Sequence, residues 1–136
     1  MFVRALLIAS TIAVLVSGAK WAIRANGTLV CGFKPYTLGA EVELFDENTL
    51  VDDLLMTTRS DRHGHFTVSG YTRSFYPMEP YLRIVHKCQT DAEDLCRESL
   101  YRIRQEYGRC EVCELGPYNL RVEGFKDREV SCEELE

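Results

Sequence analysis

Between Ala40 and Gly70 the chain reads AEVELFDENTLVDDLLMTTRSDRHGHFTVSG, with apolar residues at every second position over short runs. Val42 and Leu44 point one way while Glu41, Glu43 and Phe45 point the other, the period of a half-buried strand. Asp46-Glu47-Asn48 is polar and turn-forming, and Asp52-Asp53 leads into a further run at Leu54–Thr58. Asp61-Arg62-His63-Gly64 is a turn, since its glycine is free to take positive φ. His65–Ser69 resumes the alternation with Phe66 and Val68 on the buried face. Two strands joined by such a turn predict a hairpin.

The flanking sequence continues in the same style. Gly27–Cys31 is a short strand, entered through an Asn26-Gly27 turn and closed near Lys34-Pro35, because proline cannot donate to a ladder. Pro80–Lys87 places Tyr81, Arg83 and Val85 on one face and Leu82, Ile84 and His86 on the other. Arg97–Arg104 reads as a strand, with a helix over Asp91–Gln105 as the local alternative. Tyr107–Glu114 is a cysteine-containing loop. Pro117–Glu123 is the last strand, with Leu120 and Val122 facing the core. The charged tail Lys126–Glu136 is expected to be held only through Cys132. About seven short strands without a long helix predict an all-β sandwich of Greek-key type.

The first nineteen residues stand outside that fold. Arg4 precedes the apolar stretch Ala5–Val16, and Ser17-Gly18-Ala19 offers small residues for cleavage before Lys20. The stretch is shorter than the roughly 20 apolar residues a membrane span needs, so a signal peptide at 1–19 and a secreted domain at 20–136 are predicted. No transmembrane segment remains after that cleavage. The formal net charge is −5, one unit more negative without the leader. An acidic chain is a poor binder of nucleic acid, whose phosphates repel it.

Cys31, Cys88, Cys96, Cys110, Cys113 and Cys132 all follow the leader, and an even count in a short exported chain predicts three disulfides. Cys110-Glu111-Val112-Cys113 has redox-motif spacing but lacks the βαβ context that lowers a thiol pKa, so structural pairing is expected there too. Cys88 and Cys96, at the end of one strand and the start of its neighbour, are expected to bridge, since that placement suits a Cα separation of about 5–6 Å. Asn26-Gly27-Thr28 is an N-glycosylation sequon.

The ordered motifs Gly27–Cys31, Phe33–Pro35, Val42–Asp46, Asp52–Leu55, Thr58–Gly70 and Pro80–Cys88, followed by Cys96-Arg97, resemble the nematode transthyretin-like family of secreted proteins. That resemblance implies a prealbumin-type pair of antiparallel sheets. It also implies an extracellular recognition or signalling role, with a cell-surface receptor or a lipid headgroup such as phosphatidylserine as partner. Cys110, Cys113 and Cys132 depart from the common pattern. The related 5-hydroxyisourate hydrolases end in Tyr-Arg-Gly-Ser, whereas this sequence ends Glu133-Glu134-Leu135-Glu136, so an enzyme is not expected.

No catalytic residue, metal site or cofactor is predicted. His63, His65 and His86 with Asp61 are poorly spaced for a metal, and Asp46, Glu47, Asp52 and Asp53 match no EF-hand loop. Arg59, Arg62, Arg73, Arg83, Arg97, Arg102 and Arg104 would form a recognition patch if they gathered beside Tyr71, Phe75, Tyr76 and Tyr81; an ordinary mixed surface is the competing expectation. Binding through loops at one end of the sandwich is the leading reading, with carriage of a small apolar ligand as the alternative.

Overall fold

The computed structural model describes residues 19–90, 92–104, 113–122, 124 and 126–135. Its organising element is β1 (Ala19–Cys31), in which Trp21, Ile23, Ala25, Gly27 and Leu29 alternate inward. The next strands are β2 (Lys34–Pro35), β3 (Glu41–Asp46), β4 (Asp53–Arg59) and β5 (His65–Ser74). They are followed by β6 (Pro80–His86), β7 (Leu95–Arg102), β8 (Cys113–Asn119) and β9 (Lys126–Ser131), then a short 3₁₀ helix at Cys132–Leu135.

These strands form two sheets. In the first, β1 pairs antiparallel with β5 from Ala19↔Ser74 to Thr28↔His65, and β2 folds back onto Val30 and Cys31. On β1, Ala25–Val30 also pairs with β8, and that pairing is parallel. The second sheet runs β4-β3-β6-β7-β9, antiparallel throughout. Ile23, Leu29 and Val68 from the first sheet meet Val42, Leu44, Leu82 and Ile84 from the second in one core.

Two glycines are fixed by close approach. A Cβ on Gly27 would lie 2.4 Å from Phe66 Cζ, so the tip of the ring fills the space a side chain would need. Gly64 takes φ 81°, and a Cβ there would lie 2.3 Å from the Leu29 carbonyl oxygen. That proximity lets the Leu29 N–H donate to the Gly64 carbonyl at 2.7 Å.

The all-β sandwich and the inward faces of β3, β5 and β6 agree with the sequence. Over 95–102 the chain is a strand, not a helix. Several expectations need correction. Among the described residues there are nine strands instead of about seven, because Pro35 pairs with Val30 and the charged tail contributes β9. Asn26-Gly27 lies within β1 and makes no turn. β4 and β5 do not form a hairpin: the turn at 60–64 carries the chain from one sheet to the other. Their edges adjoin only locally, as where the Ser69 N–H donates to Met56 Sδ at 3.2 Å. β8 stops at Asn119, and the turn closed by Val122 N–H to the Asn119 carbonyl leaves Leu120 buried but throws Val122 outward.

The expected Cys88–Cys96 bridge is absent, because Cys88 is bonded to Cys31 and Cys96 to Cys132. Register explains the error. His86 stands opposite Arg97, so Cys96 falls opposite Lys87 if the pairing is continued. A one-residue offset turns two side chains to opposite faces of a sheet. Cys88 accordingly joins the central core, while Cys96 packs outside with Val85 and Val130. Cys113 is also disulfide-bonded, and Cys110 lies outside the described residues.

A non-reducing digest should therefore contain the Cys31–Cys88 and Cys96–Cys132 peptides. With sequence separations of 57 and 36 between partners, each bridge should contribute about 4 kcal/mol by chain entropy. Urea unfolding of the paired serine variants checks this, and a loss below about 1 kcal/mol would show that the bridges close no real loop in the unfolded chain.

Candidate functional site

One end of the sandwich presents the β1–β2 turn. Gly32 takes φ 71°, and the tip residue Phe33 is completely exposed. The turn is nevertheless pinned. Cys31 at its base is bonded to Cys88, the Tyr36 N–H donates to the Leu29 carbonyl at 2.9 Å, and the Tyr36 hydroxyl accepts the Lys87 N–H at 2.8 Å. The Asn119 side chain ties this turn to the one after β8, because its Oδ1 accepts the Gly32 N–H at 3.0 Å and the Arg121 N–H at 3.1 Å. Phe33 and the exposed Val122 are thus displayed beside Lys34 and Arg121, both also exposed.

The opposite end is built from residues 47–52 and 74–79. The Glu47 N–H donates to the Glu79 carbonyl, and the Glu79 N–H donates to Asp46 Oδ1, both at 3.0 Å. Asn48 N–H donates to Asp52 Oδ1 at 3.0 Å, and Asn48 Nδ2 donates to Asp53 Oδ2 at 2.7 Å. The Tyr81 hydroxyl donates to Asp52 Oδ2 at 2.6 Å. Between the two loops lies a cleft of about 500 Å³, lined by Asp46, Glu47, Glu79 and Tyr76 among others. Burial pushes the Asp46 carboxyl above its ordinary range; the Glu79 N–H opposes this, and Asp53, Glu79 and Asp52 add to it. Hydrogen bonds from Tyr81 and Asn48 hold Asp52 below that range.

The arginines do not gather into one patch beside the aromatics and instead follow the reading of an ordinary mixed surface. Arg83 bridges Glu43 and Glu98 across the outer face of the second sheet, and Arg128 also binds Glu98 at 3.0 Å. Burial opposes ionisation of Glu98, but Arg128 and Arg83 win and hold its carboxyl low. Arg97 reaches Gln89, and Arg102 reaches Glu47 at 2.8 Å. Tyr81 stacks on Phe45 with centroids 5.3 Å apart, while Tyr71 lies under the Lys20 ammonium. Phe75 and Tyr76 are exposed, as are Leu50 and Val51, which the residue pattern did not single out.

The remaining candidates are placed as follows. Asp61 Oδ1 accepts the N–H groups of His63 and His65, which lowers its pKa, and His86 is buried elsewhere. Among the described residues no three His, Cys, Asp or Glu side chains converge as metal ligands. Asn26 projects from the outer face of the first sheet, where its Oδ1 accepts Thr67 Oγ1–H at 2.8 Å and its Nδ2 donates to Glu114 at 3.4 Å. His86 and Ser99 approach to 3.0 Å, but the Cys88 N–H donates to His86 Nδ1 at 3.1 Å. Nε2 must then carry the proton and donate to Ser99 Oγ, the reverse of the tautomer that would activate a serine.

A disulfide-stapled two-sheet sandwich with apolar residues displayed on loops at both ends is the class of domain these features define. Residues 26–104 match the model of the transthyretin-like family, and the chain belongs to that family. Transthyretin-like protein 16 of Caenorhabditis elegans is 32% identical over 85 residues, 62% of this chain and 64% of that protein, just under two thirds of its length. Transthyretin-like protein 5 of the same animal is 29% identical over 103 residues, 74% of this chain and 72% of that one. A solved 9R-lipoxygenase from Cyanothece overlaps 73% of this chain and 16% of its own, at a TM-score of 0.48 and 18% identity, too slight a likeness to argue from. No helix among the described residues is long and apolar enough to cross a membrane.

His86 supplies a pH prediction. Burial, with Arg97 adding and Asp127 opposing, lowers its pKa from 6.5 to about 4. Between those values the unfolded chain binds a proton that the native one refuses, so stability is lost as pH falls through that window and is complete above it. Urea unfolding of wild type and His86→Asn should show the wild-type advantage shrinking by about 2 kcal/mol from pH 7 to 4.5. A constant difference would contradict it.

Proposed function

We propose that the chain is a secreted, non-enzymatic recognition domain whose Phe33 turn contacts an anionic lipid headgroup, such as phosphatidylserine, on a cell surface. The observation that carries this reading is a fully exposed phenylalanine on a turn held by a disulfide and three backbone hydrogen bonds. A pinned turn cannot fold that ring away, and Lys34 and Arg121 supply the charge an anionic surface attracts. Burying the ring contributes about 1.5–3 kcal/mol, and each cation near the surface about 1 kcal/mol. Such a contact is weak and reversible for one molecule. The leader at 1–19 and the cystine framework support export, and the sequon at Asn26, on the outer face of the first sheet, supports glycosylation there.

Two measurements test the proposal. Protein secreted from a eukaryotic host should begin at Lys20 and lose mass on deglycosylation, whereas Asn26→Gln should not. In flotation with phosphatidylserine–phosphatidylcholine vesicles, Phe33→Ser should lower partitioning about tenfold, as expected for losing one buried aromatic side chain. Lys34→Glu with Arg121→Glu should remove its salt dependence. Undiminished binding by Phe33→Ser would refute the assignment of this turn.

A further inference from the structure

The end opposite the Phe33 turn has its own exposed apolar surface. Leu50 and Val51 are 95% and 75% exposed, and Phe75 and Tyr76 are 66% and 77% exposed. All four lie on the two loops that meet through the Glu47–Glu79 backbone bond. Monomeric soluble domains seldom display several large apolar side chains on adjoining loops without a use for them. The hydrogen bonds of Asn48 to Asp52 and Asp53, and of Tyr81 to Asp52, hold residues 47–52 in place, so Leu50 and Val51 are presented by a braced loop.

Charge selects the partner. Asp46, Glu47 and Glu79 line the cleft between the loops, and among the described residues no cation lines it. Arg102, bonded to Glu47, and Arg104 line a separate depression with Glu79, Pro80 and Ile103, while Lys20, over Tyr71, stands opposite Arg73. Trp21, next to Lys20 in the strand, is buried, so Lys20 and Arg73 project from the outer face of the first sheet. We propose that this end docks an extended protein segment that offers a Lys or Arg side chain to the cleft between apolar residues resting on Leu50, Val51, Phe75 and Tyr76. An anionic membrane would meet like charge here. The surface is distinct from the Phe33 turn and does not rest on the reading of that turn.

The test is an amide NMR titration of the intact, oxidised protein with two synthetic peptides, one alternating Lys and Leu, the other Glu and Leu. The Lys–Leu peptide should shift residues 47–52 and 74–79 and bind at least tenfold tighter than its Glu counterpart. Leu50→Ser with Val51→Ser, and separately Glu47→Gln with Glu79→Gln, should each weaken binding about tenfold without lowering the melting temperature. Phe33→Ser should bind as wild type. Equal binding of the two peptides, shifts confined to other residues, or protection of these loops by anionic vesicles would overturn the proposal. So would self-association in ultracentrifugation that Phe33→Ser abolishes, because the occupant would then be the basic end of a second copy.

Discussion

Cys31 and Cys88 join the two sheets at the end where the Phe33 turn projects, and the geometry of that end follows from this bond. Cys31 closes β1, and Cys88 lies just past β6. The Cys88 N–H in turn sets the His86 tautomer, and the neighbouring Lys87 N–H is taken by the Tyr36 hydroxyl. The staple therefore fixes three things together: the sheet spacing, a buried polar contact to Ser99, and the base of an exposed turn. A loop left to itself would fold Phe33 against the nearest apolar surface; this one has no freedom to do so.

Polar groups are arranged so that the sheets are spent on structure and the ends are left for contact. The outer face of the second sheet is closed by the Glu43–Arg83–Glu98–Arg128 chain of ion pairs. Glu43 and Glu98 are buried and paired, and of the four only Arg128 is exposed, so the face presents little charge to a partner. The two ends differ in sign, with Lys34 and Arg121 beside the exposed ring at one and Asp46, Glu47 and Glu79 around the cleft at the other. A net charge of −5 conceals that division.

The strands whose two faces differ chemically were legible in the sequence: β3, β5 and β6 carry clear alternation, and Gly64 marked its turn. The first half of β1 is also written there, since Trp21, Ile23 and Ala25 continue the period of Gly27 and Leu29, but Asn26-Gly27 in the middle of the run has the residues of a turn. What local pattern cannot supply is register between distant strands. The parallel pairing of β8 to β1, the docking of β9 and the partner of Cys88 all depend on it. Exposure was equally hidden, because Phe33, Leu50 and Val51 are of the same residue types as core side chains. The arginines stay apart for a related reason: strand alternation sends Arg83 and Arg97 to opposite faces of the second sheet, and each has a nearer polar partner.

The central claim is that a cross-sheet bond converts an apolar turn into a rigid contact surface, and nitrogen-15 relaxation of the oxidised protein tests it most directly. Order parameters of about 0.8 or higher at Gly32, Phe33 and Lys34, falling below about 0.6 in a Cys31→Ser, Cys88→Ser variant that keeps its fold, are the predicted result. Values below about 0.6 in the oxidised protein, or no change on removing the bond, would contradict it.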